Sequence, residues 1–96
     1  MPERKRLYET ITAENWGQGF IESGRRACLV GHARKLYWHL GAGREKSIYQ
    51  PLSEAILVLF PDRIHNAFPA ALVGDFNDHP DTTVEDVRRV CKLADV

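Results

Sequence analysis

Helix breakers divide this chain into short segments. Gly17, Gly19 and Gly24, then Gly41-Ala42-Gly43, then Pro61, then Pro80 interrupt a sequence of 96 residues. Glycine weakens helices and strands through backbone entropy, and proline removes a donor and clashes with the preceding turn. Between the breakers, apolar residues recur at helical spacing. Five short helices are predicted, over about residues 3–14, 26–40, 47–60 and 67–76, and onward from Thr82. The expected fold class is therefore all-α, in a single helical domain over residues 1–96. Gly17, Gly19 and Gly24 make residues 16–25 a loop or a small hairpin, reaching to about residue 28.

Local signals set the ends of each helix. In the first, Leu7, Tyr8 and Ile11 share a face, and Asn15 and Gly17 end it. In the second, Leu29, Val30, Ala33, Leu36, Tyr37 and Leu40 follow helical spacing, and Gly41-Ala42-Gly43 stops it. Residues 55–60, A-I-L-V-L-F, are apolar all round, a pattern that buried strands and buried helices share. The helix formers before them favour a helix, with Pro51 in its first turn and Pro61 at its end. Asn66 is expected to cap the fourth helix, with Pro69 in its first turn. Thr82 and Glu85 stand at capping-box spacing ahead of the fifth, whose inward stripe is Val84, Val87, Val90, Cys91 and Ala94.

The six residues 55–60 are also the longest apolar run, far short of the about 20 a membrane span needs. The opening M-P-E-R-K-R leads into no apolar stretch, so a secretory signal is not expected and a cytoplasmic location is. Two cysteines, Cys28 and Cys91, are too few for a disulfide framework and are expected as free thiols. Net charge is zero but uneven: residues 1–46 carry nine Lys/Arg against five Glu, and residues 47–96 four Lys/Arg against eight Asp/Glu. Such halves attract each other within a fold, or mark a basic nucleic-acid face; the neutral total favours the first.

Four constellations invite chemistry. Cys28, His32 and His39 fall within roughly 40° of one another on the second helix, and the spacing of Cys28 and His32 lets two side chains grip one ion. A closed zinc site needs a fourth ligand, which only His65, His79, Cys91 or a carboxylate could supply, and no C-x-x-C or H-E-x-x-H occurs; the expectation is a buried cysteine, two partly exposed histidines and no metal. Cys28 also lies near a helix start after Arg25 and Arg26, where a thiol can be activated; a small apolar core residue is the plainer reading. Asp75, Asp78, His79 and Asp81 lack the glycine of a calcium loop and read as turn chemistry, with Asn77 and Asp78 bonding local backbone and Pro80 blocking helix continuation. The basic residues Arg4, Lys5, Arg6, Arg25, Arg26, Arg34 and Lys35, near Tyr37 and Trp38, match no nucleic-acid motif. No phosphate loop and no nucleophile elbow occur. No catalytic residue and no cofactor are expected.

Three motifs in order carry a resemblance. They are Trp16-Gly17-Gln18-Gly19, then Cys28-Leu29-Val30-Gly31-His32-Ala33, then Phe76-Asn77-Asp78-His79-Pro80 ahead of a Thr-started helix. The chain resembles, from about Leu7 to Leu93, a family of unknown function found in actinobacteria and their phages. It departs from that family at His32, where alanine is frequent, and at Asp81, where glycine is. The resemblance implies a compact helical domain in an accessory protein of a phage or mobile element, with Trp16, Gln18, Cys28, Asn77, Asp78 and Pro80 as structural motif residues. It carries no activity.

The reading from sequence is a non-catalytic interaction protein that binds a host protein or a second copy of itself. The alternative is a small nucleic-acid-binding or regulatory protein that uses the basic N-terminal half. On the second helix Trp38 lies roughly 160° from the apolar stripe, with Arg34 and Gly31 beside it. Tryptophan and arginine are enriched at binding hot spots. The expected partner surface is Trp38, Arg34, Gly31 and Tyr37.

Overall fold

A computed structural model describes residues 6–19, 22–37, 48–65 and 67–96, with the side chains of Leu36 and Tyr37 outside that set. The described chain is mostly helical: α1 (Leu7–Thr10), a hairpin of β1 (Glu22–Ser23) and β2 (Arg26–Ala27), α2 (Leu29–Tyr37), α3 (Tyr49–Leu59), a 3-10 turn (Pro61–Arg63), α4 (Pro69–Asp78) and α5 (Val84–Ala94). α3 packs on α4 and α5, α1 on α5, and α2 on α4. One core runs through them, with Leu7, Ile11, Leu29, Leu52, Ile56, Val73, Phe76, Val87, Val90 and Cys91 all but sealed from solvent.

The first helix ends at Thr10 rather than near Glu14. The Thr10 hydroxyl donates to the Leu7 carbonyl at 3.1 Å, and the Asn15 amide donates to the Thr10 carbonyl at 2.8 Å. Thr12 N–H donates to Asn15 Oδ1 at 2.8 Å. Side-chain bonds thus compete for the backbone groups that another helical turn would need. The first predicted residues, 3–5, lie outside the described residues.

The second helix begins at Leu29 rather than Arg26. Arg26 and Ala27 belong to β2, which pairs antiparallel with β1 through Glu22 with Ala27 and Ser23 with Arg26. Gly24 takes the left-handed conformation (φ +60°) that the two-residue turn needs. Ala27 is drawn the other way too: its N–H donates to the Asn15 carbonyl at 2.8 Å, and its carbonyl accepts from Gly17 N–H at 3.2 Å. A helix at this point would forfeit both. The predicted stop at Gly41-Ala42-Gly43 lies outside the described residues.

Residues 55–59 are helical, and Phe60 and Pro61 end α3 as the proline requires. α4 starts at Pro69 with Phe68 at its N-cap and no side-chain cap bond; Asn66 lies outside the described residues. The fifth helix is capped by Thr83 with Asp86, one residue along from the expected Thr82 with Glu85. Thr83 Oγ1 accepts from Asp86 N–H at 3.3 Å, and Asp86 Oδ2 accepts from Thr83 N–H at 3.2 Å. Both pairs satisfy the spacing rule, but Thr82 is buried and its hydroxyl accepts from Arg63 Nη1 at 3.3 Å. Asp95 ends α5 in the left-handed conformation (φ 58°), which aspartate tolerates better than most residues. No described helix is long and apolar enough to cross a membrane.

Candidate functional site

The motif residues converge on one side chain, Asn77, near the end of α4. Asn77 is fully buried. Its Oδ1 accepts from Trp16 Nε1 at 2.7 Å and from Leu29 N–H at 2.9 Å. Its Nδ2 donates to the Gly17 carbonyl at 3.1 Å and to Asp78 Oδ1 at 3.0 Å. All four hydrogen-bonding positions of the amide are used. Asp78 Oδ1 also accepts from Gly19 N–H at 2.9 Å. Gln18 returns the favour: its Nε2 donates to the carbonyls of Asn77 at 2.9 Å and His79 at 2.7 Å.

Helix ends explain why these residue types stand here. The first N–H groups and last carbonyls of a helix have no partner within it. Asn77 satisfies the first N–H of α2, Cys28 Sγ accepts from Gly31 N–H at 3.4 Å, and Gln18 satisfies carbonyls at the end of α4. The expectation that Asn77 and Asp78 bond local backbone is corrected: apart from their bond to each other, the partners of their side chains among the described residues lie 48 to 61 residues away. Pro80 follows His79 in an exposed turn closed by Thr82 N–H on the His79 carbonyl at 3.0 Å. These bonds form a clasp centred on the Asn77 amide, which ties the loop from Trp16 to Gly19 and the start of α2 to the end of α4.

Of the expected partner surface on α2, Gly31 and Arg34 lie wholly within the described residues. Gly31 is buried rather than bare, because α2 packs this flank inward; Arg34 is exposed. Trp38 and the Tyr37 side chain lie outside the described residues. His32 is buried, at 8% exposure, rather than partly exposed; His39 lies outside the described residues. Among the described residues no three His, Cys, Asp or Glu side chains cluster so as to hold a metal ion. Cys28 and Cys91 are both buried free thiols, and burial pushes the Cys91 thiol up to about 12.

Two surface depressions have definable chemistry. One is an apolar groove of about 290 Å³ between α3 and α5, lined by Pro51, Glu54, Ala55, Val58, Leu93 and Ala94. Val58 is 72% exposed and Leu93 53%. The surplus of apolar residues in 55–60 was the signal for it, since a helix packed on one side cannot bury them all. The other is an open recess of about 300 Å³ lined by Thr10, Asn15, Arg25, His32 and Lys35. There burial pushes the His32 imidazole below its ordinary value; its hydrogen bond to the Asn15 carbonyl opposes this, and the Lys35 charge adds to it. Sequence spacing gave no sign of this recess, because it joins α1, the hairpin and α2.

No curated protein and no solved structure matches the chain. A family model does match, over residues 5–95, and its description is a family of unknown function (DUF6197).

Proposed function

The chain belongs to DUF6197, a family of unknown function, and from that footing we propose a non-catalytic interaction protein that seats a helix of a protein partner in the α3/α5 groove. The groove itself carries the reading. Pro51, Ala55 and Val58 stand one turn apart along α3, and Leu93 and Ala94 face them from α5. Small alanines between larger walls make the kind of hole that receives a knob from a third helix. Helix-in-groove recognition reads anchors at this spacing. Burying side chains such as Val58 and Leu93 fully is worth about 1.5–3 kcal/mol each. Glu54 lies at the rim, bonded at 3.2 Å only by Gln50 Nε2 and without a cation among the described residues. The fitting occupant is an amphipathic helix with an apolar ridge and a lysine or arginine opposite Glu54. In the phage or mobile-element setting that the motif resemblance implies, that helix belongs to a host protein.

The test places a photo-crosslinking amino acid at position 58, with position 34 as control. The expected result is crosslinking from 58 to one helical segment of one partner. That segment, made as a peptide, binds the wild type and not a Leu93→Glu variant with unchanged circular dichroism. Equal crosslinking from both positions, crosslinks only to a second copy of this chain, or a peptide indifferent to Leu93→Glu would overturn the proposal.

A further inference from the structure

The recess beside the hairpin differs in chemistry from the apolar groove and lies on other elements. Its wall from the hairpin is Arg25, on the two-residue turn that Gly24 permits. The Arg25 side chain is exposed and meets no carboxylate among the described residues. Its wall from α2 is Lys35, whose ammonium lies 3.2 Å from the Glu22 carboxylate of β1. α1 and the loop after it present Thr10 and Asn15, which carry no charge. Two cations thus meet one anion around the opening, and a positive charge is left over.

His32 closes the recess, and its ring has one nitrogen to spare. Nε2 lies 2.8 Å from the Asn15 carbonyl oxygen. That oxygen also accepts from Ala27 N–H at 2.8 Å. A carbonyl only accepts, so Nε2 carries the ring proton and Nδ1 holds the lone pair of the neutral tautomer. Nδ1 has no partner among the described residues, and the residue as a whole is only 8% exposed. Buried polar atoms are normally paired, and one that is not calls for a ligand, a water or a catalytic task.

We propose that this recess binds the phosphate group of a small phosphate monoester, with Arg25 and Lys35 on its oxygens and one proton held between the phosphate and His32 Nδ1. Arginine and lysine are the usual phosphate-binding cations, arginine through its planar fork. A phosphate monoester loses its second proton near pH 6, so at neutral pH it and an imidazole share a proton with little cost to either. Sulfate and the diesters of a nucleic-acid backbone carry no such proton. The volume of about 300 Å³ sits at the lower end of small-molecule pockets, which suits a phosphate and a short substituent rather than a cofactor.

The test follows backbone and histidine-ring NMR signals of the full chain during titration with inorganic phosphate and with glycerol phosphate at constant ionic strength. Sulfate and a short single-stranded oligonucleotide are the contrasting probes. Expected are saturable shifts confined to Thr10, Asn15, Arg25, His32 and Lys35, with the His32 titration midpoint raised in phosphate. Arg25→Ala weakens binding about tenfold or more, the loss of one charge-assisted hydrogen bond, whereas Arg34→Ala, outside the recess, changes it little. Non-saturating shifts, sulfate matching phosphate, or equal losses in the two arginine variants would overturn the site. Tight oligonucleotide binding with no phosphate response would overturn it in favour of a polyanion surface. Arg25 is on an exposed turn, so its variant is expected to fold, and Lys35→Met gives an independent second reading.

Discussion

Replacing Asn77 by alanine tests the clasp most directly. The substitution removes the acceptor of Trp16 Nε1 and of Leu29 N–H, and the donor to the Gly17 carbonyl. A buried polar group left unpaired costs about 1–3 kcal/mol. The Leu29 and Gly17 groups are buried and pay it in full, while Trp16 is half-buried and recovers part of its bond from water. The expected loss is about 3–5 kcal/mol. A chain of 96 residues has about 5–14 kcal/mol in all, at roughly 0.05–0.15 kcal/mol per residue. At about 4–8 °C per kcal/mol, the melting midpoint should fall by more than about 12 °C. Urea unfolding followed by circular dichroism and tryptophan fluorescence measures the loss at constant m-value. A loss below about 1 kcal/mol, the worth of one ordinary hydrogen bond, would refute the reasoning. Asn77→Asp sharpens the test. It keeps an acceptor but places a buried carboxylate beside Asp78, so its folded pKa must rise above the unfolded one. Such a group favours folding only while protonated, so the variant's deficit against wild type should be smaller at pH 4 than at pH 7 and grow as pH rises through the folded pKa.

Two further outcomes rest on titrating groups. At Asp86, burial pushes the carboxyl up, but bonds from Arg63 at 2.8 Å and from Thr83, with the Arg63 charge, outweigh it and hold the carboxyl below its ordinary value. Its contribution is therefore present above the unfolded carboxylate pKa and lost as pH falls through the folded one. Asp86→Asn should cost about 1.5–3 kcal/mol at pH 7, the range for a hydrogen bond to a charged group, and urea midpoints of the two proteins should converge in acid. At His32, whose folded pKa is lowered chiefly by burial, folding favours the neutral ring. The stability this gives is present above the unfolded histidine pKa and lost as pH falls through the folded one. His32→Gln, measured without phosphate, should show a shallower fall in melting temperature below neutral pH than the wild type; an unchanged slope would contradict the burial.

The helices were legible because their signals are local. Pro61 and the formers before it decided between helix and strand at residues 55–60, and the all-α class follows from such punctuation. Helix ends were less legible wherever a side chain from elsewhere competes for the backbone. Asn15 ends α1 early by bonding Thr10 and Thr12, and Thr83 displaces Thr82 as cap because Arg63 takes the Thr82 hydroxyl. The motif residues were visible as motifs, yet local turn chemistry accounts for Asn77 as well as the clasp does until distance is known. The recess was illegible for the same reason: nothing at the level of sequence joins Arg25 to Thr10. Trp38 and His39, which carried much of the expected partner and metal chemistry, lie outside the described residues.

The clasp also has a consequence in time. Trp16 and Asn77 are 61 residues apart, and bringing such a pair together costs about 3–4 kcal/mol in loop-closure entropy by the logarithmic rule. α3, α4 and α5 follow one another in the chain and pack together, so their contacts close shorter loops and are reached sooner. The residues from Trp16 to Gly19 should therefore dock after the rate-limiting barrier of folding. Substitutions in the clasp would then accelerate unfolding while leaving the refolding rate nearly unchanged, the pattern of positions not yet formed in the transition state. The amide of Asn77 acts as a latch that sets how long the folded chain persists, more than how quickly it forms.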